Sequence, residues 1–497
     1  MRTAGILLHI SSLPSPYGIG TLGKEARDFV DFLKRAGQKW WQVLPVGTTS
    51  YGDSPYQSFS AFAGNPYFID PLILAEEGLL KREEIESFSW GEDPQRVDYG
   101  LLYQNRYALL RKAYERFRGQ EPKEYEVFVE KNKDWLPDYA LFMALKDAGG
   151  GIEWRRFPQA LKFRKPEALK AAEESYADGI AFHEMLQFLF FSQWRELKKY
   201  ANENGIGLIG DIPIYVASDS ADVWTDPEEF LLDRNLDMIE VAGCPPDAFS
   251  EDGQLWGNPL YRWDVMKKNG YRWWVRRLQA VVELFDLIRI DHFRGFESYY
   301  AIPAKDETAQ NGVWRRGPGA ALFSFLKEAL GELPIIAENL GFLTEEVQEM
   351  LKETGFPGMK VLQFAFDGSG TNWYLPHHYE KNTVCYTGTH DNETTEGWFT
   401  KASEKELETA RIYGGLNKEE GYSWGMMRLA WTSVSDLAVV PMQDVLSLGS
   451  EARMNTPSTR ENNWQWRMKA GSLATKETEA LAARLAAWME LSGRGQA

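Results

Sequence analysis

Cysteine is nearly absent from this chain: Cys244 and Cys385 are the only two in 497 residues, and they lie far apart. That excludes a disulfide framework and fits a chain that works in a reducing cytosol, so a cytoplasmic location is expected. Histidine is scarce as well. The six histidines form no metal-ligand spacing, and the neighbours His377 and His378 are expected to point different ways in any regular element. No metal site is expected, and no cage of closely spaced acids suggests calcium. Long hydrophobic runs are missing: the N-terminal MRTAGILLHISSLP is too short in apolar residues for a secretion signal, and no stretch approaches a membrane span. Basic residues are outnumbered, 55 Lys plus Arg against 72 Asp plus Glu, for a net charge of −17. Such a surface repels polyanions and argues against nucleic acid as a partner. There is no GxxxxGK[ST] motif and no dinucleotide fingerprint, and GTTSYGD (Gly47 to Asp53) lacks the lysine of a phosphate loop.

What the chain has in plenty is aromatic side chains: 19 Trp, 22 Tyr and 27 Phe. Trp224, Trp256, Trp314 and Trp398 sit beside Gly, Pro or Asp in loop-like sequence. They are expected as a group to face a ligand, because a flat ring suits the face of a pyranose.

Short apolar or β-branched runs recur between helical patterns. Strands are predicted at 4–9, 40–45, 206–211, 286–291, 334–338, 359–364, 383–387 and 437–441. EARDFVDFLKRAG, FHEMLQFLFFSQWRELKKYANENG and YRWWVRRLQAVVELF read as amphipathic helices between them. Eight alternations predict an α/β fold, a (β/α)8 TIM barrel with helical and loop insertions and no C-terminal β domain. Residues 1–71 are expected to hold the first two strands and a long substrate loop. Residues 72–178 are expected to form a mainly helical insertion, and 179–497 the rest of the barrel. Within that last part, about 214–264 reads as a groove-covering loop region and about 392–430 as a helical insertion.

Four carboxylates each close such a run. Asp211 ends GIGLIGD, Asp291 ends FDLIRID, Glu338 ends LPIIAE, and Asp391 follows TVCYTGTH. Reactive groups of a barrel sit at the C-terminal ends of its strands. Asp291 and Glu338 close consecutive strands, so their side chains can face one another across a small ligand. Two carboxylates about 5 to 5.5 Å apart suit double displacement at a sugar carbon. Arg289 shares the strand face of Asp291 and favours its ionised form, as a nucleophile requires, which leaves Glu338 as the proton donor. His292 and His390 adjoin key aspartates without a Ser or Cys nucleophile beside them, and suit hydrogen bonds to sugar hydroxyls.

The segments HISSLPSPYGIGTLG, SPYQSFSAFAGNPYFIDP, GDIPIYVASDSADVW, GCPPDAFSEDGQLWGNPLYRW, RIDHFRGFE, AENLG and THDNETTEGW resemble the 4-alpha-glucanotransferases called amylomaltase or disproportionating enzyme. These belong to the wider alpha-amylase clan. PMQDVLSLGSEARMNTPST extends the match almost to the end. The resemblance implies retaining transfer between alpha-1,4-glucans, with maltooligosaccharides, amylose or glycogen-derived glucans as partners and no cofactor; the sequence leaves the oligomeric state open, with a monomer expected. It implies Asp291 as nucleophile, Glu338 as general acid/base and Asp391 as transition-state stabiliser. Arg289, His292, His390 and Asp211 would line the subsite of the glycosyl-enzyme, with Tyr56 stacked on its sugar. Phe249, Gln254 and Trp256 would lie near the acceptor in a loop over the groove, and Tyr51 and Tyr99 would form a secondary glucan spot. The chain departs from the family's AEDLG by carrying Asn339, which removes one charge beside Glu338. An alpha-amylase-like hydrolase with the same three acids is the alternative reading. A non-catalytic glucan-binding protein is the reading from another class, disfavoured because all three acids are present.

Overall fold

Eight parallel strands close into a barrel in which every strand pairs with its neighbours in chain order. A computed structural model of the chain describes residues 2–50, 52–246, 251–341, 343–459 and 461–495. The barrel strands are Thr3–Leu7, Trp40–Gln42, Gly207–Pro213, Leu287–Asp291, Ile335–Ala337, Gly358–Val361, Thr383–Tyr386 and Leu437–Pro441. The eighth pairs with the first, Leu437 opposite Thr3 and Pro441 opposite Leu7, so no sheet edge is left open. Apolar runs form these strands because both of their faces are covered: all residues of Leu437–Pro441 and Thr383–Tyr386 are buried.

Helices wrap the barrel. Lys24–Arg35 buries Ala26, Phe29, Val30, Phe32 and Leu33, the i, i+3, i+4 stripe of its sequence. The 27-residue helix Ala177–Glu203 leads into the third strand. It also anchors the loop between the second strand and the helix Pro71–Glu76. Gln187 exchanges hydrogen bonds with Gly64 of that loop (2.7 and 3.0 Å), and Gln193 does the same with Asp70 (2.7 and 3.3 Å). Residues 82–175 are mainly helical, including Tyr99–Phe117 and Leu136–Ala148, and they share one continuous hydrophobic cluster with the barrel.

The region read as loop from 214 to 264 carries more regular structure than its sequence suggested. Glu240–Cys244 and Gln254–Pro259 pair antiparallel, and Ser298–Pro303 and Val313–Arg316 complete a four-stranded sheet beside the barrel mouth. The Gly and Pro content that reads as loop instead shapes short, irregular strands, with a register shift between Val241 and Gly243. Among the described residues no helix is long and apolar enough to cross a membrane.

Candidate active site

The fourth strand places Arg289 and Asp291 on one face, and its register sets Asp211 of the third strand opposite Arg289. Arg289 Nη1 donates to both oxygens of Asp211, at 2.8 and 2.7 Å, and Nη2 donates to Asp291 Oδ1 at 3.0 Å. Arg289 and Asp211 are buried, whereas the Asp291 side chain keeps 31% of its surface and faces the open mouth. Burial pushes the Asp211 carboxyl up to about 6 against the pull of Arg289. Burial works against the guanidinium too, yet Asp211 and Asp291 together hold it well above the ordinary arginine range. The Tyr56 hydroxyl donates to Asp211 Oδ2 at 2.9 Å, and its ring stacks on His390 with centroids 5.1 Å apart.

Glu338 follows the fifth strand, and the ladder to the fourth strand continues past both. Its N–H donates to Ile290 O at 3.0 Å and its carbonyl accepts from Phe293 N–H at 2.9 Å. Asp291 and Glu338 therefore stand side by side at the C-terminal ends of adjacent strands. The Glu338 carboxyl is gripped by two backbone donors, His292 N–H on Oε2 and Leu340 N–H on Oε1, each at 2.7 Å. The first of these requires a sharp turn, and His292 makes it with φ at 51°, in the left-handed region where non-glycine residues are uncommon. Burial pushes Glu338 up to about 7 and the neighbouring charge of Asp291 adds to this, while Arg289 and the two N–H donors oppose it. Asn339 is buried with its side-chain oxygen accepting from Met359 N–H at 2.7 Å, so it ties this turn to the sixth strand.

Asp391 lies in the turn after the seventh strand. Asn455 Nδ2 donates to its Oδ1 at 2.6 Å, and His390 Nε2 lies 3.3 Å from the same oxygen. Arg453 Nη2 donates to the Asp391 carbonyl at 2.8 Å, and Asn455 N–H to the His390 carbonyl at 3.1 Å. Burial in the mouth works to raise Asp391, but His390 and Asn455 outweigh it and hold the carboxyl down at about 2. His390 in turn stands above its ordinary value, because Asp391 overcomes its burial. The Asp391 side chain keeps 42% of its surface, enough to meet a ligand.

His292 is pushed down to about 3 by burial and by Arg294, so its ring is neutral, and its Nε2 has no hydrogen-bond partner among the described residues. The Trp256 ring meets it edge-on at 4.8 Å, and Trp256 Nε1 donates to Gln254 Oε1 at 3.0 Å. Tyr99 is half-buried, its hydroxyl donating to Trp464 O at 2.9 Å. Tyr51 and Phe249 lie outside the described residues. The structure thus gathers Tyr56, Asp211, Arg289, Asp291, His292, Glu338, His390 and Asp391, with Trp256 and Gln254 at the rim.

Some expectations need correction. Trp224 faces no ligand: it is fully buried, with Nε1 donating to Leu161 O. Trp154, Trp194, Trp273, Trp274 and Trp431 are equally buried, so much of the tryptophan content packs the large core. Trp398 packs on Phe366 and Phe399, whereas Trp314, on Tyr300 and under Arg294, stays exposed. The adjacent His377 and His378 do not diverge; their ring centroids are 4.1 Å apart, because they share a 3-10 turn. Sequence reasoning missed Arg453, Asn455 and Trp464 as site residues. The signal for Arg453 and Asn455 lay in the segment from Pro441 to Thr459, which joined the family match without any role attached; Trp464, its ring 5.9 Å from those of Tyr56 and His390, lies beyond that segment. Among the described residues no group of three or more His, Cys, Asp or Glu is placed to hold a metal ion.

The arrangement is that of a barrel enzyme whose acids are built to work on a glycosidic bond. Residues 8–474 match the family described as 4-alpha-glucanotransferase, and the chain belongs to that family. It is 52% identical over 464 residues to a 4-alpha-glucanotransferase of Clostridium butyricum, covering 93% of this chain and 95% of that one. It is 51% identical over 504 residues to the 4-alpha-glucanotransferase of Thermus thermophilus, covering 99% of each. The solved amylomaltase of Streptococcus agalactiae in complex with acarbose superposes over 100% of both chains, with a TM-score of 0.96 and 43% identity.

Proposed function

We propose that this 4-alpha-glucanotransferase moves segments of alpha-1,4-glucan from a donor to the 4-hydroxyl of glucose or of another glucan, by two displacements at one carbon. Asp291 attacks the anomeric carbon while Glu338 gives its proton to the departing oxygen, leaving a covalent glycosyl-enzyme. The acceptor hydroxyl then attacks that carbon, Glu338 takes its proton, and Asp291 departs with the original configuration restored. Asp391, held ionised, accepts hydrogen bonds from hydroxyls of the donor sugar as positive charge builds at its ring. His390, His292, Arg289, Asp211 and Tyr56 line that sugar. Gln254 and Trp256, with Phe249, take the acceptor side, and Tyr51 and Tyr99 a second stretch of glucan. A donor long enough to offer its own 4-hydroxyl would close into a ring.

The observation that carries this reading is the unequal setting of two neighbouring acids. Asp291 is half-exposed and paired with Arg289. Glu338 is buried, gripped by two N–H groups and poised near neutrality. One is set to attack and the other to carry a proton. Transfer prevails over hydrolysis when the mouth excludes water and binds the acceptor, which the Trp256 strand favours. The scheme routes no step through a metal or organic cofactor. With its charge of −17 and two cysteines, the protein is read as cytoplasmic and as no partner of nucleic acid; a monomer that binds no membrane completes the proposal.

Incubation with maltotriose, products resolved by chain length, tests this. Glucose plus a ladder of longer maltooligosaccharides, lost in Asp291→Asn, is the expected result. Glucose and maltose alone would mean a hydrolase.

A further inference from the structure

One connection of the barrel differs from the rest. Between the sixth strand, Gly358–Val361, and the seventh, Thr383–Tyr386, there is no α-helix, only 3-10 turns at Leu362–Phe364 and Pro376–His378. Aromatic rings cover the barrel there instead. Lys360, on the sixth strand, lies over the rings of Tyr374 and Tyr379. Beyond them Trp373 stands 66% exposed, with Phe364 at 42% and Tyr413 at 38%. A tryptophan this open costs solvation unless something covers it, and such patches mark binding surfaces.

We propose that Trp373, with His378 and His377 beside it, is a surface platform for an alpha-1,4-glucan chain. It holds the part of a long glucan that extends beyond the catalytic mouth. The proposal rests on the reading of the substrate as an alpha-glucan.

Three observations support it. First, the ring is presented on a fixed backbone. Asn372 Nδ2 donates to Phe364 O at 2.8 Å, its Oδ1 accepts from Tyr374 N–H at 2.8 Å, and Lys360 Nζ donates to Trp373 O at 3.3 Å. Little ordering is left for a ligand to impose. Second, the border is polar. The His378 ring lies 6.1 Å from Trp373, His377 Nδ1 lies 2.9 Å from Tyr413 Oη, and the exposed hydroxyls of Ser369 and Thr371 are 2.8 Å apart. A pyranose offers an apolar C–H face ringed by hydroxyls, which matches an aromatic face ringed by polar groups better than a wholly apolar partner would. Third, the patch is continuous with the site. Tyr374, next in sequence to Trp373, packs on Phe364 at 5.4 Å, and burial, with the Glu338 charge adding to it, pushes its phenol up to about 12.

The test compares Trp373→Ala with the wild-type enzyme on two substrates, maltotriose and long linear amylose. Maltotriose kinetics should be unchanged, which also reports intact folding, while KM for amylose rises roughly 3- to 10-fold. His378→Ala should shift KM for amylose in the same direction and leave maltotriose alone. Unchanged KM for amylose in Trp373→Ala overturns the proposal, and so does an equal loss on both substrates, which would place the effect in the mouth or the fold. Sedimentation gives a further check: if the wild type is a dimer that Trp373→Ala dissociates with amylose kinetics unaltered, the patch is an interface between copies and the proposal falls. Failure of the wild type to make any ladder from maltotriose would instead sink the proposed function and is read independently.

Discussion

Arg289 holds Asp211 with one nitrogen and Asp291 with the other: Nη1 bonds both oxygens of the buried Asp211, and Nη2 bonds Asp291 Oδ1 at 3.0 Å. A planar guanidinium can serve both acids from fixed directions, and a lysine cannot. The geometry fixes the Asp291 carboxylate by reference to a buried residue, Asp211. Arg289→Met would strand the Asp211 charge. The expected loss is about 3–5 kcal/mol of unfolding free energy in urea. Adding Asp211→Asn to that variant should restore part of the stability and none of the activity.

The acid pair sets the pH dependence. Glu338 is raised from an ordinary 4.5 to about 7, so it holds its proton below that value and loses it above. Because the folded value exceeds the unfolded one, its stabilising contribution is complete below about 4.5 and is lost as pH rises through 7. The same loss of proton should give kcat/KM an alkaline limb near 7, an apparent value that belongs to the Asp291–Glu338 pair. Asp291→Asn removes the repelling charge. Infrared titration of the protonated carboxyl band in that inactive variant should show Glu338 releasing its proton at lower pH than in the wild type.

Asn455 reaches Asp391 from 64 residues away in sequence, at 2.6 Å. Losing a hydrogen bond to a charged group costs about 1.5–3 kcal/mol, so Asn455→Ala should lower kcat roughly ten- to hundredfold if Asp391 works in the transition state. Steady-state kinetics on maltotriose give the number. A change confined to KM would mean that Asp391 serves only ground-state binding.

Trp256 presses on the neutral His292 ring at 4.8 Å and is braced by Gln254. Trp256→Ala should open the acceptor side to water. Reducing-end assays on amylose should then show the hydrolysed share of turnovers rising while donor cleavage persists. Equal loss of both reactions would place Trp256 on the donor side.

The barrel was legible because its strands are buried on both faces and so appear as unbroken apolar runs: each of the eight predicted segments contains or overlaps a barrel strand. The carboxylates were legible for the related reason that a charge in or just after such a run needs a partner, as buried Asp211 has in Arg289 and buried Glu338 in two N–H donors. The small antiparallel sheet was not, since Gly243 and Gly257 lie within its strands and a positive φ of 75° at Gly257 looks like a loop in sequence. Trp224 misled because Gly, Pro and Asp nearby say nothing about a cavity that helices from elsewhere supply. Arg453, Asn455 and Trp464 come from no strand or α-helix, so no periodicity could mark them; only closure of the barrel by the eighth strand brings the first two to Asp391 and Trp464 to His390 and Tyr56. Tyr51 and Phe249, named through the resemblance, lie outside the described residues.

The central claim is that Asp291 bonds covalently to the sugar while Glu338 moves the proton. Glu338→Gln cannot protonate a sugar leaving group, but alpha-glucosyl fluoride needs no proton to depart. Incubating that variant with the fluoride, digesting it with protease and locating the adduct by mass spectrometry tests the claim most directly. The account predicts one added anhydroglucose unit on the peptide carrying Asp291. An adduct on another residue, or inverted glucose released without any adduct, would contradict it.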